Sequence, residues 1–565
     1  MTITKFDVRR GAYYDSVVLM QLQRGLIGLP GILDAGVVMA TPANRDLLAA
    51  NSLLPDSITA SPDDLLIVVK AESDSAASDA MDQIDSLLAR RRSSASQDFR
   101  PRSLSSAAKQ LPEANWVLVS VPGRYAAGVA REALDLGKHV FLYSDNVSLA
   151  DEISLKKSAR EKGLLVMGPD CGTTIINGIG LGFANRVRRG PIGLVGASGT
   201  GLQAVTAHIH NLGGGISHAI GTGGRDLKSE VGAITAHQSL DLLARDEETK
   251  VIVLISKPPS PEVATGLISA AQSTGKPVVI YFIGYPPPAR KIGNLQFAIS
   301  LSEAAELAVE RGDEKTTKQS PVRRADWRSR VELSSLYVRG LFSGGTLAYE
   351  TLLGLQASLS PIFSNAPITD YQLLRDPLHS EAHSIIDLGD EFFMVGRLHP
   401  MIDNDLRVRR MKQESADEQV GMILFDVVLG EGSHPDPAGE LTPVIQEIKT
   451  HRPNIEFVAI IIGTEADPQN IESQMELFKE AGVKIFRTAT EAVEYVSLRF
   501  GTDRKYEFTP IHLEQLKQPL AAINVGLESF YESLTSQGAQ AVHVDWRPPA
   551  GGNEKLAALL AKMKK

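Results

Sequence analysis

One stretch of this chain is written twice, and that duplication limits the folds open to it more than any other feature. Gly193-Leu194-Val195-Gly196-Ala197-Ser198-Gly199-Thr200-Gly201 has a partner in Arg339-Gly340-Leu341-Phe342-Ser343-Gly344-Gly345-Thr346. The first is followed by His218-Ala219-Ile220-Gly221-Thr222-Gly223-Gly224-Arg225-Asp226, the second by Ser384-Ile385-Ile386-Asp387-Leu388-Gly389-Asp390. Each copy then has two apolar strands, 251–256 and 278–283 in the first, 422–428 and 457–462 in the second. Each closes on an acidic helix start, Ser302-Glu303-Ala304-Ala305 or Thr490-Glu491-Ala492-Val493. The order is kept while the spacing drifts, so two homologous domains are expected rather than a solenoid.

The rest of the chain is read by periodicity. Residues 3–8, 35–40 and 65–69 predict strands, and 14–27 and 75–90 predict helices, making a small α+β N-terminal unit. From Trp116 a βαβ rhythm begins: strands at 116–121, 139–143 and 164–167, helices at 125–136 and 149–162. Short apolar strands alternating with helices imply a parallel sheet. The expected fold is therefore α/β: an α+β unit at 1–95, a parallel-sheet domain at 107–188, two duplicated α/β domains at 189–312 and 334–505, and an extension at 506–565. Residues 91–106 and 311–330 read as links.

At 565 residues the chain exceeds one core, and a net charge of −9 gives no reason to expect nucleic acid or an anionic membrane. The basic clusters Arg90, Arg91, Arg92 and Arg407, Arg409, Arg410 read as solvated faces. The single cysteine, Cys171, excludes an intrachain disulfide or a multi-thiolate metal site. No signal peptide is expected, and no apolar run approaches the roughly 20 residues of a membrane helix. A soluble, cytoplasmic protein is expected.

Strand, Ser-Gly-(Gly)-Thr, helix puts unpaired backbone N–H groups and hydroxyls at a helix N-terminus, where an anion is favoured. Ser198, Gly199, Thr200, Gly201 and Ser343, Gly344, Gly345, Thr346 are thus candidate anion or phosphate sites. A single such element also serves as an ordinary N-cap with a tight turn, and the recurrence favours anion binding. Gly223, Gly224 and Arg225 form a second glycine loop whose Arg either clamps an oxyanion or pairs on the surface with Asp226. His399 is a candidate general acid or base, Asp403 its orienting partner and Arg397 a carboxylate ligand. Asp387 and Asp390 lie beside them; with His399 they match no specific metal template, and no metal is assigned. Asp170 and Cys171 sit at the end of a strand, where ligands bind in open α/β sheets, and Cys171 reads as buried and inert. His208, His210, His218 and His237 read as structural or solvent-facing. Trp546 and Arg547, in a Pro/Gly-rich loop, read as an interface.

At these residues the chain resembles the FdrA family of acyl-CoA synthetase-like proteins. The likeness runs from Gly11-Ala12-Tyr13-Tyr14-Asp15-Ser16-Val17, through Gly163-Leu164-Leu165-Val166-Met167-Gly168-Pro169-Asp170-Cys171-Gly172-Thr173, to Pro549-Ala550-Gly551-Gly552-Asn553. More distantly, residues 116–346 resemble the succinyl-CoA synthetase α subunit, and the second repeat resembles the ligase domain of its β subunit, which implies a Rossmann-like CoA-binding-type domain at 107–188 and flavodoxin-like ligase domains at 189–312 and 334–505. The resemblance implies a subunit of oxamate carbamoyltransferase in allantoin and purine breakdown, converting oxalurate and phosphate to oxamate and carbamoyl phosphate. Phosphate or carbamoyl phosphate would be a reactant, and the chain would assemble with other transferase subunits or with itself. The stretch Gly284-Tyr285-Pro286-Pro287-Pro288-Ala289-Arg290-Lys291-Ile292-Gly293-Asn294 has no histidine where synthetase α subunits carry a phosphorylated one, so no phosphohistidine is expected. The alternatives are an acyl-CoA ligase subunit with a separate ATP-grasp partner, binding CoA at Pro122-Gly123-Arg124-Tyr125 and using a nucleotide, and a non-catalytic scaffold.

Overall fold

The computed structural model describes residues 2–11, 16–50, 53–54, 58–61, 64–89, 101, 103–312, 336–394, 397–500, 517–525 and 527–544. The readings placed on residues 12–15, 90–92, 313–330 and 545–553, Trp546 and Arg547 among them, lie outside the described residues.

The N-terminal unit runs β1 (Ile3–Arg9), α1 (Ser16–Ile27), β2 (Ile32–Met39), α2 (Pro42–Ala50), β3 (Leu65–Ala71) and α3 (Asp74–Ala89). Its sheet is antiparallel in the order β1-β3-β2. Leu65, Ile67 and Val69 pack with Leu19, Leu26 and Ile84 of α1 and α3. Leu66 and Val68 pack with Leu48 of α2 and Leu53. Burial on both faces explains the unbroken apolar run in β3.

After α4 (Leu104–Gln110), the βαβ rhythm produces β4 (Trp116–Val119), α5 (Gly123–Asp135), β5 (His139–Leu142), α6 (Leu149–Lys162) and β6 (Val166–Met167). They form a three-stranded parallel sheet in the order β4-β5-β6. Ala126, Ala130, Ala133 and Leu134 make the buried stripe of α5. The hairpin β7 (Thr173–Ile176) and β8 (Ile179–Gly182) then leaves this sheet and joins the edge of the next.

The first repeat comprises β9 (Arg189–Ala197), α7 (Gly199–Asn211), β10 (Ile216–Gly221), α8 (Ile234–Arg245), β11 (Val251–Ser256), α9 (Pro261–Ser273), β12 (Val278–Phe282), β13 (Lys291–Ile292), β14 (Leu295–Phe297) and α10 (Leu301–Gly312). The second comprises β15 (Tyr337–Phe342), α11 (Gly345–Leu355), β16 (Ile362–Ser364), β17 (His383–Asp387), α12 (Glu391–Met394), α13 (Asp405–Ala416), β18 (Val420–Val428), α14 (Pro437–His451), β19 (Glu456–Ile462), α15 (Ile471–Glu480), β20 (Lys484–Phe486) and α16 (Ala489–Phe500). Their central strands run β10-β9-β11-β12-β14 and β17-β15-β18-β19-β20. Numbered among these five central strands alone, both orders are 2-1-3-4-5, the flavodoxin-like arrangement. One continuous core spans the two, joining Leu202, Val205 and Ile209 of α7 to Leu347 and Leu352 of α11 and Val458 and Ile460 of β19.

Helix α13 corrects one sequence reading. Arg407, Arg409 and Arg410 are 2%, 7% and 0% exposed, not a solvated face. Arg407 pairs with Asp426 at 3.0 Å, Arg409 with Asp34 and Asp405 at 3.1 and 3.0 Å, and Arg410 with Glu414 at 2.6 Å. Asp34 and Asp426 come from other strands, so only the tertiary fold supplies them.

Residues 503–565 form a separate unit, of which β21 (Ala521–Val525), α17 (Glu528–Ser536) and β22 (Gln540–Val544) are described. The two strands pair in parallel around the helix connection. No described helix is long and apolar enough to cross a membrane.

Candidate functional site

The two repeats bring the N-termini of α7 and α11 together. Ser198 is extended and caps α7, its Oγ accepting the Gly201 N–H at 3.0 Å. The same Oγ lies 2.5 Å from Thr346 Oγ1, in the first turn of α11. The backbones are so close that a Cβ on Gly344 would sit 2.1 Å from Thr200 Cγ2. Glycine is required there by contact, not by its torsion angles. Gly344 caps α11 without a side chain, so the first N–H groups of that helix have no side-chain cap. Ser343 is turned inward instead: its N–H and Oγ donate to Asp426 at 2.7 and 2.8 Å, and Arg407 holds the same carboxylate. Two helix dipoles therefore converge on one point.

One carboxyl and one ammonium stand at that point. A Cβ on Gly345 would lie 2.3 Å from Asp387 Oδ2 and 2.6 Å from Lys257 Nζ. Asp387 is buried; burial pushes its pKa up to about 6 against the pull of Lys257. Its backbone N–H and carbonyl are held by the Asn365 side chain, and its Oδ1 accepts the Gly389 N–H at 3.0 Å. Asp170 follows the cis Gly168-Pro169 peptide with φ +54°. The residue is exposed, yet the protein packed around it and then the charge of Asp145 raise it to about 6, again opposed by Lys257, with Glu391 and Asp387 adding to the rise. Each carboxyl is thus poised to gain or lose a proton near neutrality. Thr173 brings a buried hydroxyl, without a partner among the described residues, to 3.5 Å from the Cβ position of Gly199 at the α7 tip.

The other candidates divide. Gly223 and Gly221 pack on backbone, where a Cβ would lie 2.4 Å from Pro169 O and 2.2 Å from Thr173 O; Gly224 is open, 3.6 Å from Asp170 Oδ2 by the same measure. Arg225 is turned away from the tips, its Nε 2.9 Å from Glu152 and its Nη2 donating to Val147 O at 2.7 Å. Nor does it pair with Asp226, which is fully buried and bound to Lys156 at 2.8 Å. Arg397 likewise faces elsewhere: its Nε donates to Asn44 of the N-terminal unit at 2.6 Å, and Asp405 is 3.6 Å away. This corrects its reading as a carboxylate ligand, because the guanidinium is taken up in a contact between units.

His399 lies inside, with Phe183 between its ring and Tyr143, at centroid distances of 4.9 and 5.6 Å. Its Nδ1 accepts the Met401 N–H at 3.2 Å, which places the ring proton on Nε2, 3.4 Å from the Cβ position of Gly389. Met401, not Asp403, fixes the tautomer, since the Asp403 carboxylate accepts from Asp405 N–H. Burial pushes His399 down to about 4, so at neutral pH it is a hydrogen-bond donor and not an imidazolium acid. Asp403, raised to about 6 by burial and by Asp405, belongs with Arg24 and Glu440. Asp390 accepts from Phe392 N–H at the start of α12. Cys171 is buried, and burial pushes its thiol up to about 12. His210 is buried against Glu465 at 2.7 Å. Among the described residues no group of three or more His, Cys, Asp or Glu is arranged to hold a metal.

Sequence reading passed over Lys257, Thr173, Asn365, Asp426 and Phe183. Lys257 had a usable signal, being the first residue beyond β11 at a strand's carboxyl end.

The two flavodoxin-like domains match models of CoA-ligase-type domains. Residues 341–498 match the CoA-ligase family model, and residues 187–284 match the CoA binding domain model. The second match falls on the first repeat rather than on the β4–β6 unit. Residues 1–103 match the AllF, heavy metal-associated domain model, although this segment contains no cysteine. The YahF protein of Escherichia coli (strain K12) is 40% identical over 498 residues, 86% of this chain and 96% of the relative. The chain belongs to the YahF, or FdrA-like, family. Succinate–CoA ligase [ADP-forming] subunit alpha 2 of Archaeoglobus fulgidus is 29% identical over 189 residues, 32% of this chain. The chain spans only 63% of the length of that α subunit. Among solved structures, PH0766 from Pyrococcus horikoshii OT3 matches with a TM-score of 0.32 at 14% identity, covering 69% of this chain and 85% of that one.

Proposed function

We propose that this chain is a subunit of a carbamoyl transferase that cleaves oxalurate with phosphate, giving oxamate and carbamoyl phosphate. The supporting observation is the junction at Ser198 and Thr346, where two helix N-termini meet beside Asp387, Asp170 and Lys257. Both reactants are anionic, and converging N–H groups with an ammonium suit a pair of anions held close enough to react. A phosphate oxygen bonds to the carbamoyl carbon, the bond from that carbon to the oxamate nitrogen breaks, and the proton lost by phosphate ends on that nitrogen. A carboxyl near pKa 6 is suited to carry the proton, and Asp387 is assigned that role. His399, neutral with its proton on Nε2, contributes a fixed donor at the wall of the site. This chemistry needs no bound cofactor from the chain.

A second reading, an acyl-CoA ligase subunit, is favoured by the CoA-ligase and CoA binding matches. Under it, CoA and a nucleotide enter with a partner chain. The test is to purify the chain with its partner subunits and compare phosphate-dependent oxalurate cleavage with ATP-dependent CoA-thioester formation. Carbamoyl phosphate released only when phosphate is present supports the transferase. Thioester without oxalurate cleavage sinks it, and neither product leaves a scaffold.

A further inference from the structure

The two repeats leave equivalent crevices in opposite states. In sheets of this order, ligands sit beyond the carboxyl ends of the strands where the connections diverge. In the second repeat, the loop after β18 is covered by the chain's own segment. Ala184 and Glu431 exchange backbone hydrogen bonds, and Asn185 Nδ2 donates to Leu429 O and Asp467 Oδ2, both at 2.8 Å. The following helix, α14, is capped by Asp436, which accepts the Gly439 N–H at 3.0 Å.

In the first repeat the corresponding loop is held more lightly, by the Ser260 N–H donating to Leu227 O at 3.2 Å. Beyond β11 a cavity of about 340 Å³ opens, lined by Gly224, Lys228, Ser229, Ser256, Lys257 and Ser260. Ser260 caps α9, yet its hydroxyl makes no hydrogen bond, and its oxygen is shielded from solvent. Neither Lys228 nor Lys257 has an ion-pair partner within 4.0 Å among the described residues; one carboxylate, Glu230, also lines the cavity, and it accepts from Ser229 Oγ at 3.0 Å. The volume is within the range of small-molecule pockets, and two ammonium groups beside a 13-residue helix start select negative charge.

We infer that this crevice is a second anion site, taking a small phosphate- or carboxylate-bearing molecule between Lys228, Lys257 and the N-terminus of α9. It does not rest on the carbamoyl-transfer reading. Lys257 is common to both places, since its Nζ also reaches the Gly345 tip. An anion in the crevice therefore competes with Asp387 and Asp170 for that ammonium.

Hydrogen exchange of the full chain, titrated with inorganic phosphate and separately with oxalate, tests the assignment. Saturable slowing is expected in peptides covering 224–230 and 256–263. Lys228→Met and Ser260→Ala should each weaken it, by about tenfold for the lysine. Thr346→Val, which alters the helix junction, should leave it in place. The stronger of the two probes identifies the source as phosphate or carboxylate. Slowing that survives Lys228→Met combined with Lys257→Met overturns the proposal, as does no saturable slowing with either probe. All the variants are compared at matched thermal stability, and Lys228→Gln repeats the lysine test without an apolar side chain.

Discussion

Ser198 and Thr346 stand 148 residues apart in the chain, yet their hydroxyl oxygens are 2.5 Å apart, one at the tip of each duplicated helix. That contact fixes the distance between two positive helix ends. Ser198→Ala removes both the cap on Gly201 and the contact across the junction, and is expected to cost about 1–2 kcal/mol. Thr346→Val removes only the second, at about 1 kcal/mol. A double-mutant cycle in denaturant should show the two effects to be non-additive. Additive losses would mean that the tips are positioned independently.

Asp387 and Asp170 are the raised acids of the site. Both carboxyls are raised to about 6, from an ordinary aspartate value of 3.8. A raised acid stabilises the fold in its protonated form: the contribution is complete below about 4 and is lost as pH climbs through 6. Asp387→Asn should therefore stabilise the chain at pH 7 by about 1–3 kcal/mol and flatten the rise seen on acidification. The slope that remains in the variant reports the other raised acids, Asp170, Asp403 and Glu350. Activity of the complex at pH 7 should fall by at least about tenfold, because the proton carrier is gone. Full activity in Asp387→Asn would remove it from the mechanism.

Lys156 holds the glycine loop to the preceding domain. Fully buried, its ammonium donates to Glu152 at 2.9 Å, Asp226 at 2.8 Å and Thr222 O at 3.0 Å. Lys156→Met leaves buried Asp226 without its cation and Glu152 with Arg225 alone, and a loss of about 3–5 kcal/mol is expected in chemical denaturation. A loss under about 1 kcal/mol would show that water reaches the triad.

Arg409 ties the N-terminal unit to the second repeat through Asp34, with Asp405 on its other side. Arg409→Ala should accelerate amide exchange in residues 32–39 while leaving β18 protected. The stability loss is expected at about 1–3 kcal/mol. Unchanged exchange in 32–39 would place the docking energy in Arg24 and Arg397 instead.

Cys171 should resist alkylation in the folded chain and react only on unfolding, since its thiol is buried and pushed up to about 12. Rapid labelling under native conditions would show that the loop from Gly168 to Thr173 opens.

Local signals carried much of this architecture. Apolar periodicity located β11, β18 and β19, and the paired Ser-Gly-Thr elements located both helix tips, because strand alternation and helix starts depend on near neighbours. The same reasoning put Arg407, Arg409 and Arg410 in solvent and gave Arg397 to a substrate, since no local pattern reports an aspartate or asparagine several hundred residues away. It passed over Lys257 for the same reason: a lysine after a strand acquires meaning only when Gly345 and Asp387 of the other repeat are folded against it. Sequence thus determined that there would be two duplicated sheets, each with a helix start suited to anions. Tertiary structure alone decided that the starts touch, which carboxyls are buried enough to hold a proton near neutrality, and which arginines are spent on holding the units together. Burial and long-range pairing set those energies, and neither is a property of adjacent residues.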